Sequence, residues 1–282
     1  MDAEWDMYEK VRSTWPRLDR WRERIRSDFR PTAGSELADD DLDWPPMPVS
    51  QVAWAGLGSA TMHLHGMRLH LDPSPGRKPE LVPFAQLSLG RGALIGAAQA
   101  VWVLAPAERS RRLERSRIVS HYVMDEQRKF LNDVAPLPGT HDRALEVVQR
   151  HVTERLKELD RLRTASDERA ALNTTQMVKD AAAAAFSDPD LVGEAVAMWR
   201  LGSAAAHGLI WSVFGGSEAR APSDEELATP SPPAEEAVLA EMSAGGDMVR
   251  NGNLYLAAFH LAGHAWRLIG ERGGVNTGPC VS

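Results

Sequence analysis

Residues 143–163 read RALEVVQRHVTERLKELDRLR. Leu145, Val148, Val152, Leu156, Leu159 and Leu162 recur at steps of three and four, with charged residues between them. That period follows the roughly 3.6-residue turn of an α-helix and gives one apolar stripe on a charged cylinder. A half-buried strand would alternate with a period of about 2, and no stretch of useful length does so. Thr140 or Asp142 is placed to cap the start of this helix.

The helical period continues on both sides. Upstream, FAQLSLGRGALIGAAQAVWVL (84–104) reads as a further helix, and its small residues Gly90, Gly92, Ala93, Gly96, Ala97 and Ala98 permit close approach of a neighbouring backbone. Ala105–Pro106 ends it, and Pro106 suits the start of a strongly charged helix over about 106–133. Another helix is expected over 49–70, broken by DPSPGRKP (72–79). Residues 4–30 carry a stripe from Trp5 to Phe29, interrupted where Pro16 removes a backbone donor. The segment 31–50, PTAGSELADDDLDWPPMPVS, reads as an acidic, proline-rich linker with Trp44 as a possible anchor. Downstream, Thr174 or Thr175 is a cap candidate for a sixth helix. Ser187, with Pro189 in the first turn, starts a seventh that runs to Gly215–Gly216. A loop over 217–233, helices near 234–248 and 252–271, and a tail over 272–282 complete the chain. The expectation is an all-α bundle of about 7–9 helices built from antiparallel hairpins. The N-terminal amphipathic helix (1–30) and the linker (31–50) precede a main bundle over 51–271.

Composition narrows the function. The chain has 282 residues, 43% hydrophobic and 25% charged, with a formal net charge of −7. An acidic total argues against a general nucleic-acid coater but leaves room for a local basic patch. Cys280 is the only cysteine, so neither an internal disulfide nor a thiolate metal cluster is available. The acidic start MDAEWD lacks the pattern of a signal peptide, and no charge-free apolar run of about 18 residues occurs, so a cytoplasmic protein without a membrane span is expected. There is no P-loop, no dinucleotide fingerprint and no pair of Glu-x-x-His motifs, so no cofactor is expected.

The stretch AMWRLGSAAAHGLIWSVF (197–214) sets Arg200 and His207 into an apolar, small-residue run. Seven residues are nearly two helical turns, so both lie on one face about 10 Å apart along the axis, with Ser203 between them. A permanent cation, a hydroxyl and a group titrating near neutrality suit a phosphodiester. The alternative reading is a close helix contact, with Arg200 paired to a carboxylate and His207 bonded inside the bundle.

WRLGSAAAHG (199–208) resembles the Arg-x4–6-His signature of the HEPN superfamily. Its members are small helical bundles, often dimeric, many of them metal-independent RNA endonucleases of toxin–antitoxin and phage-defence systems. RGALIGAAQAVWVLAPAERSRRLERS (91–116) is similar to a segment that recurs in uncharacterised helical proteins of actinobacteria. Those proteins also carry Trp/Tyr-Arg-x-x-Ser-x-x-x-His-Gly, which Trp199–Gly208 match. The resemblance implies that Arg200 holds phosphate, that His207 is the catalytic histidine leaving a 2′,3′-cyclic phosphate, and that Ser203 orients phosphate or water. Leu201 departs from it, since active members commonly carry a polar residue there. An RNA substrate, an antitoxin-like protein partner and a homodimer are the corresponding expectations.

Two further clusters are candidates. RSRRLERSR (109–117) offers Arg109, Arg111, Arg112, Arg115 and Arg117 as an RNA-binding strip, against the alternative of a solvated charged helix face. His260 and His264 have the i, i+4 spacing of a metal-chelating pair, but HLAGH lacks the zinc-protease glutamate and shows no third ligand nearby. The non-enzymatic alternative for the whole chain is a bundle that binds a protein partner or itself.

Overall fold

The computed structural model describes residues 3–72, 81–137, 143–213 and 247–275. Within them the chain is all-helical, with no strand. The N-terminal helix is split at Thr14 into α1 (Ala3–Ser13) and α2 (Trp15–Arg24), as Pro16 predicts. There follow α3 (Glu36–Asp40), α4 (Val49–Leu71), α5 (Pro83–Leu104), α6 (Arg109–Val134) and α7 (Arg143–Ala165). The C-terminal part comprises α8 (Thr174–Ala185), α9 (Pro189–Ala206), a 3-10 turn (Ile210–Ser212) and α10 (Met248–Gly273). The expected cap at Thr140 or Asp142, most of the 72–79 break, the 217–233 loop and most of the expected 234–248 helix lie outside the described residues.

Helix α5 is the axis of the bundle, in contact with α4, α6, α8, α9 and α10. Its small residues explain this. A Cβ added at Gly96 would sit 2.6 Å from the Gly56 carbonyl oxygen, and one added at Gly56 would sit 2.6 Å from the Gly96 oxygen. The antiparallel α4–α5 hairpin therefore closes backbone to backbone. Farther along the same seam Gly92 meets the His63 ring, and Gly66 meets Leu89. On another side, Gly90 of α5 receives Leu254 of α10. By length and apolar composition α5 is able to cross a membrane, contrary to the expectation that no segment reaches that standard; one arginine, Arg91, does not remove it from the class. Most of that apolar surface is buried inside the bundle.

The N-terminal helix is part of this core. Met7, Val11, Trp15, Leu18 and Trp21 are buried in one cluster with α4, α5 and α10. Tyr255 of α10 is fully buried, and its hydroxyl lies 2.9 Å from Thr14 Oγ1 at the α1–α2 break. Gly252 seats Met7, and α10, capped by Asp247, starts at Met248 and runs unbroken through RNGN, where a boundary between two helices was expected. The 31–50 stretch is not an open linker either. It contains α3, Leu37 and Trp44 are buried, and Asp41 accepts the Ser50 amide at 2.8 Å to start α4. Trp44 belongs to a second, smaller core with Met124 and Leu131 of α6 and Val152, Leu156 and Leu159 of α7. The stripe on 143–163 is thus the inner face of the α6–α7 hairpin, apart from Val148, which is exposed.

Several boundaries move by a residue or more for local reasons. The side chain of Asn173, not Thr174 or Thr175, caps α8 by accepting from the Gln176 amide. Asp188, not Ser187, caps α9. Helix α6 begins at Arg109, so Pro106 lies in the connection before it.

Two outcomes follow from this packing. Gly96→Ala must push a backbone carbonyl and is expected to lose about 1–3 kcal/mol in urea unfolding. Gly58→Ala on the same helix pair has nothing within 4 Å and is expected to gain up to about 1 kcal/mol from helix propensity. Burial raises the Tyr255 phenol from 10.0 to about 12. A group whose folded pKa is raised adds stability below its unfolded pKa and loses it as pH climbs through the folded one. Between pH 10 and 12 the wild type should therefore lose about 3 kcal/mol relative to Tyr255→Phe, measured as the difference between their alkaline unfolding curves.

Candidate functional site on α9

The small residues of 197–214 do make a helix contact, but they do not bury the polar pair. Ala195, Gly202, Ala204 and Ala205 form the buried face of α9. At Gly202 the crossing with α5 is tight: an added Cβ would lie 2.7 Å from Arg91 Cβ and 2.8 Å from the Leu87 carbonyl oxygen. This crossing sets Arg91 beside Ser203, and Arg91 Nε donates to Ser203 Oγ at 2.9 Å. Ser203, expected to orient phosphate or water, thus holds a second arginine in place.

Arg200 and His207 are both exposed. Neither side chain has a carboxylate or hydrogen-bond partner among the described residues, and Arg91 has no carboxylate partner there. His207 is the last residue of the α9 frame and Gly208 follows in the left-handed region at φ +68°. The Gly208 amide bonds the Ala205 carbonyl and the Leu209 amide bonds the Ala204 carbonyl, both at 2.9 Å. This is a Schellman stop, and it makes the glycine of the His-Gly pair the helix terminator. Helix α9 therefore ends at Ala206, short of the expected Gly215–Gly216. The chain turns instead into the 3-10 segment, which Arg250 of α10 ties down by donating to the Ser212 carbonyl at 3.1 Å. Leu209, Ile210 and Trp211 remain exposed at 47%, 62% and 55%. The sequence reading did not single out Arg91, and it placed Trp211 inside a continuing helix.

The five arginines of 109–117 are not an open strip. Arg112 is buried against Asp40, with Nε at 2.6 Å from Oδ2, and also meets Glu36 and two backbone carbonyls. Arg109 reaches Asp40 and the Asp39 carbonyl, and Arg117 pairs with Asp43 and Glu168, each at 2.6 Å. Arg115 lies 4.8 Å from the Trp102 ring centroid and 3.6 Å from Asp180, while Arg111 pairs with Glu114 on its own helix. The acidic 31–50 stretch and the acids near α7 and α8 neutralise the segment. His260 and His264 line a cavity on α10, and no group of three metal-ligating side chains occurs among the described residues. No family model, curated protein or solved structure matches this chain.

Removing one partner of the buried Arg112–Asp40 pair strands a charge. Arg112→Ala and Asp40→Ala are each expected to cost about 3–5 kcal/mol in chemical denaturation. Arg111→Ala, which breaks an exposed i, i+3 pair, should cost at most about 0.5 kcal/mol.

Proposed function

We propose that this protein binds single-stranded RNA across the α9–α5 face and cleaves it without metal. The observation that carries the reading is that Arg200 and His207 share an exposed face of α9, with neither side chain paired within the described residues. Arg91, fixed by Ser203, adds a second cation. Guanidinium groups free of carboxylates are suited to bidentate phosphate contact. An exposed indole four residues past His207 supplies the kind of surface on which an unpaired base stacks.

The chemistry that fits is transesterification. The 2′-oxygen attacks phosphorus and the P–O5′ bond breaks, leaving a 2′,3′-cyclic phosphate and a 5′-hydroxyl. His207 transfers a proton from the attacking hydroxyl or to the leaving oxygen, and water handles the other. Arg91 and Arg200 stabilise the charge that develops on the phosphoryl oxygens. The HEPN resemblance points the same way.

The test is incubation of the purified chain with 5′-labelled single-stranded RNA in excess EDTA. The expected products end in a cyclic phosphate. His207→Ala should lower the rate by about 10²–10⁴-fold while RNA binding persists. Arg200→Gln should weaken binding and reduce the slope of log K against log salt by about 1. Absence of RNA binding by the wild type overturns the reading. Equal binding by wild type and an Arg91→Gln/Arg200→Gln double variant overturns it as well.

A further inference from the structure

A cavity of about 570 Å³ opens between α2, the end of α8, α9 and α10. From α9 it takes Leu191, Glu194 and Met198. Met198 and Arg200 are about 200° apart around the helix, so the cavity lies on the opposite side of α9 from the proposed RNA face. It exists because α10 turns small residues, Ala257 and Gly263, toward the gap that opens where α8 ends at Phe186. An added Cβ at Gly263 would only just reach the Trp21 ring, at 3.8 Å. The volume falls within the roughly 300–1,000 Å³ typical of small-molecule sites.

The wall is aromatic and apolar. Trp21 and Phe259 stack at 4.7 Å between centroids, and Met198 and Leu256 extend that surface. The rim carries two arginines and two imidazoles. The Arg17 guanidinium lies 5.9 Å from the Phe259 centroid, and Arg267 donates to the His264 ring at 3.2 Å while its other terminal nitrogen pairs with Glu271 at 2.9 Å. Glu194 is the one acidic side chain among the described lining residues. Desolvation, then the charge of Arg17, pushes the His260 pKa down; desolvation, then Arg267, does the same for His264. Both shifts favour the neutral imidazole, which keeps one N–H to donate. A metal ion fits poorly, since two cations flank the histidines and no third ligand joins them among the described residues.

We infer that this cavity is a binding site for a small amphipathic anion, an aromatic or alicyclic carboxylic acid whose ring lies on the Trp21–Phe259 wall and whose carboxylate meets Arg17, Arg267 and the two histidine N–H groups. Charge-assisted hydrogen bonds give the carboxylate its preference over a neutral isostere. The site is independent of the RNA reading and stands or falls separately from it.

The experiment is calorimetric titration of the full chain with 2-naphthoate and with 2-naphthamide, its neutral isostere. The acid is expected to bind one to one and about tenfold or more tighter than the amide. Glu194 is exposed, so Glu194→Gln leaves the fold intact; it should tighten the acid several-fold and leave the amide unchanged. Arg17→Met with Arg267→Met, checked for an unchanged melting temperature, should bring acid and amide to similar affinity. Equal affinity of the two probes for the wild type, or saturable binding of neither, overturns the inference. Acid binding that is unaffected by Glu194→Gln overturns it too, because the anion then lies elsewhere.

Discussion

The mutual approach of Gly56 and Gly96 is the constraint from which the architecture follows. Two helices whose backbones touch have no freedom of rotation about each other, since any side chain at the crossing would collide with a carbonyl. With α4 fixed on α5, the remaining faces of α5 are committed. Gly90 directs α10 to one side and the Leu87–Arg91 turn directs α9 to another. Helices α1 and α2 then follow α10, because their apolar stripe has only the α4–α10 surface on which to lie. The small residues of α5 thus act as a set of seats, each cut to one neighbour.

Charge is distributed by the same logic. The arginine-rich start of α6 faces the acidic 31–50 stretch, so its cations are neutralised and the stretch is pinned to the body. Asp40 is fully buried and Arg112 nearly so, and at such a pair the cost of desolvation offsets much of the Coulombic attraction. Against that background Arg91 and Arg200 differ in kind. Neither meets a carboxylate among the described residues.

Helix α9 separates two surfaces of different chemistry. One carries the exposed Arg200 and His207, with the half-buried Arg91 bonded to Ser203 between them. The other lines an aromatic cavity whose imidazoles have their pKa pushed down by desolvation and by flanking arginines. The Schellman stop at Gly208 serves both, because it ends α9 at the point where the chain must turn to meet α10.

Local periodicity alone determined that the chain is a helical bundle, and it located most of the helices to within a few residues. A helix needs only its own repeat, a cap and a stop, and all three are written in consecutive residues. The shared face of Arg200, Ser203 and His207 was legible for the same reason. Exposure was not, because whether a face is open depends on which neighbour covers it, and that neighbour lies far away in the chain. Arg91 and Ser203 are 112 residues apart and become partners only because Gly202 lets α9 reach α5. Arg112 looked available until Asp40, 72 residues earlier, was brought against it. The cavity is assembled from four helices and has no sequence signature at all. Periodicity is a property of neighbours in sequence, whereas pairing, burial and cavities belong to neighbours in space.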